Sequence, residues 1–148
     1  MRRYYKLFIF PAIIVIIAGF FSGFSEQSLT QTAKNLLEQR TQVLQQAYYG
    51  QIKRDQAEKY LSKIEGYPLL SEDIGNLKDI VDTDQDKVTS MEFLDIKQDD
   101  KLFLYVSLHA KIRWHMSGSG TEYISDNEYL VILKSTKDGY KLTRFSPE

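Results

Sequence analysis

The chain has 148 residues, 43% hydrophobic and 26% charged, with a formal net charge of −1 and no cysteine. Met1–Phe24 holds three basic and no acidic residues, so the 124 residues that follow carry 16 basic and 20 acidic side chains: long enough for one domain with a real core, and too acidic for a nucleic-acid surface. This excludes collagen-like, coiled-coil and disordered readings, and the missing cysteine excludes disulfide frameworks, thiol catalysis and cysteine-ligated metal sites.

Leu7–Phe24 is an uncharged 18-residue run. As a helix it is about 27 Å long at ~1.5 Å per residue, against a bilayer core of roughly 30 Å, so a transmembrane helix is predicted over 7–24. Arg2, Arg3 and Lys6 precede it without an acidic counterpart, which orients residues 1–6 as a cytoplasmic tail and places 25–148 outside the cytoplasm. Tyr4 and Tyr5 fall at the interfacial level, and Pro11 sits in the first turn or so, where a missing N–H does least harm. The alternative is a signal peptide cleaved just before Glu26. Against it stand the length of the run and the bulk of Phe20, Phe21 and Phe24 where small residues are wanted. Gly19 and Gly23 form a GxxxG pair through which two such spans can pack.

Beyond the span, Ser28-Leu-Thr-Gln31 has the capping-box pattern. Leu29, Ala33, Leu36, Leu37, Val43, Leu44 and Ala47 keep helical spacing up to Tyr48–Tyr49, and Gly50 stops the helix. Asp55 is expected to cap a second helix carrying Ala57, Tyr60, Leu61 and Ile64 to Gly66. Ser71 is expected to cap a third, with Glu72 and Asp73 at its positive end and Ile74, Leu77, Ile80 and Val81 turned inward. From Asp86 the period falls to two. Lys87–Lys97 alternates imperfectly, which predicts a bulged first strand. Leu102–Met116 alternates strictly, which predicts a long curved strand with Trp114 on its apolar face and His109, Lys111, Arg113 and His115 on the other. Ser117–Gly120 turns the chain into Glu122–Ser135, and Asp138–Gly139 turns it into Tyr140–Phe145. Three helices packed on a curved four-stranded antiparallel meander make an α+β domain.

That element order, the long curved strand and the ending Gly139-Tyr-Lys-Leu-Thr-Arg-Phe145 resemble the nuclear transport factor 2-like (cystatin-like) α+β cone superfamily over roughly Ser28–Phe145. With a short tail and one span in front, the chain is most similar to scaffold subunits of type IV secretion and conjugation machines. The resemblance implies a single-pass cell-membrane protein whose external domain contacts other membrane or secretion-machine proteins. The superfamily also holds isomerase-like enzymes, so the fold leaves open a small-molecule-binding or isomerase-like cone.

The residues themselves offer little chemistry. Asp82, Asp84 and Asp86 imitate the start of a calcium loop, but Lys87 and Phe93 stand where it needs glycine and glutamate, so a solvated acidic turn is expected. His109 and His115 are six residues apart on a strand, about 20 Å at ~3.3 Å per residue, too far to share a metal. Asp95 and Asp126 are the carboxylates that a local register shift would turn inward, as a catalytic cone would require. No nucleophile elbow, phosphate loop or zinc-protease motif occurs, so neither an enzyme nor a cofactor is expected. The partner-binding candidates are Arg113, His115, Tyr48 and Tyr49, and the expected partners are the lipid bilayer, other proteins and a second copy of the chain, with no nucleic acid.

Overall fold

Ser28 has an extended backbone and its hydroxyl accepts the Gln31 N–H at 3.2 Å, opening helix α1 over Leu29–Tyr48 as its capping pattern predicts. The computed structural model describes residues 28–79 and 86–148. The apolar run at 7–24, with Gly19 and Gly23, and residues 82–85 of the acidic turn lie outside these. Among the described residues no helix is long and apolar enough to cross a membrane. In α1, Ala33, Leu36, Leu37, Val43 and Leu44 are buried, and Gly50 takes a φ of +67° just after the helix, which glycine adopts without steric cost.

Helix α2 covers Arg54–Ile64 and helix α3 Leu69–Lys78. Both begin earlier than the capping patterns suggest. At α2 the Gln56 side chain accepts the Lys53 N–H at 3.1 Å, so the helix starts ahead of Asp55. At α3 the helix follows Pro68, whose ring presets a helical φ, and Ser71 is already inside it. Asp73, expected at the positive end of this helix, lies in its second turn and is buried.

Four antiparallel strands follow, β1 (Lys87–Leu102), β2 (Tyr105–Gly118), β3 (Thr121–Thr136) and β4 (Gly139–Pro147), hydrogen-bonded in sequence order. The predicted irregularity of β1 is present as three register shifts against β2, at Val88/Ser90, Phe93/Asp95 and Gln98/Asp100. The predicted start of the long strand is corrected. Leu102 and Leu104 do not share the core face with Val106, because the chain reverses at Phe103–Leu104 and Leu102 pairs with Tyr105. A period of two runs through a tight hairpin unnoticed, since alternation carries no information on what packs against it.

The helices cover one face of the sheet. Val106, Leu108, Ala110 and Ile112 of β2, Val131 and Leu133 of β3 and Leu142 of β4 are buried against them. The other face is laced with opposite charges in cross-strand rows, Asp95–Lys111–Glu128 and Glu92–Arg113–Asp126. Asp95 and Asp126 therefore point outward, away from the interior. The Gln45 side-chain amide brackets Val88, accepting its N–H at 2.8 Å and donating to its carbonyl at 3.0 Å, and the Lys34 ammonium lies 5.8 Å from the centre of the Phe93 ring. Helix α1 thus runs antiparallel to β1. Its start lies at the end of the sheet that carries the β1–β2 hairpin, and Tyr48–Tyr49 lie at the opposite end.

Candidate functional site

At that opposite end the β2–β3 arm outruns the helical layer. The core face of β2 continues past Ile112 through Trp114 and Met116, which are only half-buried, and Tyr129 and Tyr123 of β3 lie on the same face. Trp114 is thus at the rim of the core and not at its centre, so the full cost of deleting a buried tryptophan does not apply to it. Two adjoining recesses share Val88 and Trp114. One, of about 210 Å³, is bordered by Arg40, Tyr48, Tyr49 and Asp86. The other, of about 340 Å³, is bordered by Met116, Tyr123, Asn127 and Tyr129. Together they form an aromatic groove floored by the sheet and walled by the end of α1.

The groove is braced from beneath. The Trp114 indole N–H donates to the Tyr129 hydroxyl at 2.8 Å with the two rings edge to face, and Tyr129 stacks on Phe145 at 4.3 Å between ring centres. The Arg40 guanidinium lies 5.1 Å from the centre of the Phe145 ring and donates twice to Asp73, at 2.7 and 2.8 Å. Glu65, 1% exposed, places Oε1 3.2 Å from the same Arg40 Nε, but neither of its oxygens receives a hydrogen bond. Burial, followed by hydrogen bonding to Asp73 and the charge of Asp73, pushes the Glu65 carboxyl up to about 9. At neutral pH Glu65 is therefore held as the neutral acid beside the Arg40–Asp73 pair. Burial also works against the charge on Arg40, but Asp73 and Glu65 more than offset it and raise its pKa. Tyr48 is likewise raised, first by burial and then by Asp73.

The four candidates from the sequence divide between the two faces. Tyr48 and Tyr49 border the groove. Arg113 and His115 lie on the charged outer face, where Arg113 makes a paired contact with Asp126 at 2.8 and 2.9 Å and His115 lies 3.8 Å from Glu92. His109 is also outside, hydrogen-bonded to Glu148 at 2.7 Å and Asp99 at 3.2 Å, so it does not line the interior as a proton carrier would have to. The Arg40–Glu65–Asp73 cluster is absent from the sequence reading. A signal for it existed: Arg40 follows Ala33, Leu36 and Leu37 at core spacing, and Asp73 falls midway between Leu69 and Leu77. A charged residue on an apolar stripe indicates a buried pair whenever a second helix supplies the opposite charge.

Among the described residues no group of acidic or histidine side chains is placed to hold a metal. No protein-family model matches the chain, and no curated protein sequence matches it. Among solved structures, the intermembrane space region of the chloroplast protein ARC6 matches with a TM-score of 0.49 at 11% identity, covering 82% of this chain and 97% of that one.

Proposed function

We propose that the chain is a membrane-anchored protein-interaction module working outside the cytoplasm, as a scaffold component of a conjugation or secretion assembly. The observation that carries the interaction reading is the aromatic groove. Trp114, Tyr129, Tyr123, Tyr48 and Tyr49 surround a concave surface on rigid elements, and buried or half-buried tryptophan and tyrosine side chains are the usual energetic anchors of protein interfaces. The membrane anchor rests on residues 7–24 and their basic flank, and the assembly rests on the family resemblance.

A catalytic cone is the competing reading, and the buried Glu65–Asp73 pair is the observation in its favour. Glu65 does not border the recess beside Arg40, however, and lies 1% exposed beneath it. The cluster therefore ties α1 to α3 beneath the groove, through Arg40 and Asp73, with Glu65 packed beside them.

Complementation of a deletion separates the two readings. Under the interaction reading the domain released from its anchor fails to restore function, because tethering supplies the effective concentration. Tyr49→Ala and Tyr123→Ala in the full chain weaken function in steps, whereas His109→Ala, His115→Ala and Asp95→Asn retain most of it. Full complementation by the anchorless domain, together with complete loss on Glu65→Gln in a stably folded chain, would put the catalytic reading first.

A further inference from the structure

The β1–β2 hairpin ends in four consecutive large apolar residues that are exposed and take no part in the core. Leu102 is 68% exposed, Phe103 91%, Leu104 53% and Tyr105 45%. Phe103 also takes a φ of +54°, in the left-handed region that a bulky side chain disfavours and that glycine or asparagine fills in an ordinary two-residue hairpin. The tip is braced: Ser135 N–H donates to the Leu104 carbonyl at 2.6 Å, and the Lys134 ammonium lies 5.7 Å from the centre of the Tyr105 ring. Neither the turn nor the core needs these side chains, so their chemistry serves something outside the domain.

The position of the tip says what that is. The uncharged run ends at Phe24, and only Ser25, Glu26 and Gln27 separate it from Ser28, a reach of at most about 14 Å at ~3.6 Å per residue. Helix α1 runs antiparallel to β1, with Gln45 fixed opposite Val88. From that point α1 extends ~26 Å back to Ser28, whereas β1 extends ~46 Å on to Leu102, less what its three bulges take up. The tip therefore stands roughly 10–20 Å beyond the start of α1, on the side from which the chain enters, and spans the length of the linker. Around it Lys97, Lys101, Lys134 and Lys137 alternate with Asp99, Asp100 and Asp138, a mixed polar collar beneath an apolar cap with a tyrosine at its edge. Aromatic and long basic side chains in that order suit the boundary between lipid tails and headgroups.

We propose that the Leu102–Tyr105 tip inserts into the interface of the same bilayer that anchors the chain, as a second membrane contact that fixes the orientation of the domain and turns the aromatic groove away from the lipid. This rests on the reading of residues 7–24 as a span. The chain has no cysteine, so a single introduced one carries a unique fluorescent probe. The full chain is reconstituted into phosphatidylcholine vesicles with an environment-sensitive label at Phe103→Cys, at Ser119→Cys in the turn at the other end of the sheet, or at Ser22→Cys in the span.

Expected are blue-shifted emission and quenching by lipid-borne spin labels at positions 22 and 103, with a water-like probe at 119. Adding Leu104→Asp to the chain labelled at 103 should cut the lipid quenching several-fold while leaving position 22 unchanged. A water-like probe at 103 beside a quenched one at 22 overturns the tip contact and leaves the anchor standing. Water-like probes at both positions overturn the two together. A shielded probe at 103 that lipid quenchers do not reach assigns the tip to a protein contact and also overturns the proposal. Quenching at 103 alone removes the span, and with it the premise of a second contact on an anchoring bilayer, and so overturns the proposal as well.

Discussion

Glu65 shows how much one residue's surroundings decide. A carboxyl group this buried, without a donor of its own, is stable as the acid, and its proton is retained up to about pH 9 against an ordinary carboxylate value near 4.5. Between those limits the native chain holds a proton that the unfolded chain has lost, so stability falls as pH rises, by about 1.4 kcal/mol per pH unit at most, and levels off above the upper limit. Denaturant titrations at several pH values should show this slope in the parent, whereas Glu65→Gln, which keeps the shape and has no proton to lose, should lose most of it. An identical pH slope in parent and variant would reject a protonated Glu65. His109 is set by its neighbours in the same direction: hydrogen bonds to Glu148 and then Asp99 raise its pKa. Its contribution is fully present below ~6.5 and is lost as pH climbs through the raised value. In an NMR titration the His109 midpoint should lie above the ordinary histidine value and drop on Glu148→Gln; no change on that substitution would remove the assigned partner.

Among elements, β2 shows the widest range of burial along one strand, because its core face is covered for only part of its length. Leu108 is 0% exposed at the centre of that face, Trp114 lies half-buried at the rim, and Lys111 points outward. Urea unfolding should rank them accordingly: about 3–4 kcal/mol lost for Leu108→Ala, about 2 for Trp114→Ala, and under about 0.5 for Lys111→Ala. If Trp114→Ala proved costlier than Leu108→Ala, the groove would be part of the core and unavailable to a partner. The alternation of β2 was legible because a half-buried strand must repeat every two residues. The turn at Phe103–Leu104 was not, since its residues are apolar for a reason unconnected with the core. The early starts of α2 and α3 were missed for a related cause: a Gln56 cap and a proline start compete with Asp55 and Ser71, and local patterns do not rank them.

For the whole molecule, an anchored domain predicts that protease added to protoplasts digests residues 28–148 and leaves a short membrane-bound fragment. Recovery of a mature chain beginning near Glu26 would establish secretion instead. At this scale the sequence by itself determined the α+β class, the order of three helices and four strands, and the division of β2 into an apolar and a charged face. Hydrophobic period and turn chemistry are local properties that survive into the fold. Only the tertiary structure brought Arg40 of α1, Asp73 of α3 and Glu65, just past the end of α2, together and paired Arg113 with Asp126. It also set Tyr48 beside Trp114 and left Leu102–Tyr105 bare at the end where the chain enters. Each of these joins residues distant in the chain, and what they become depends on which surfaces meet when the helices close over the sheet, which no local pattern encodes.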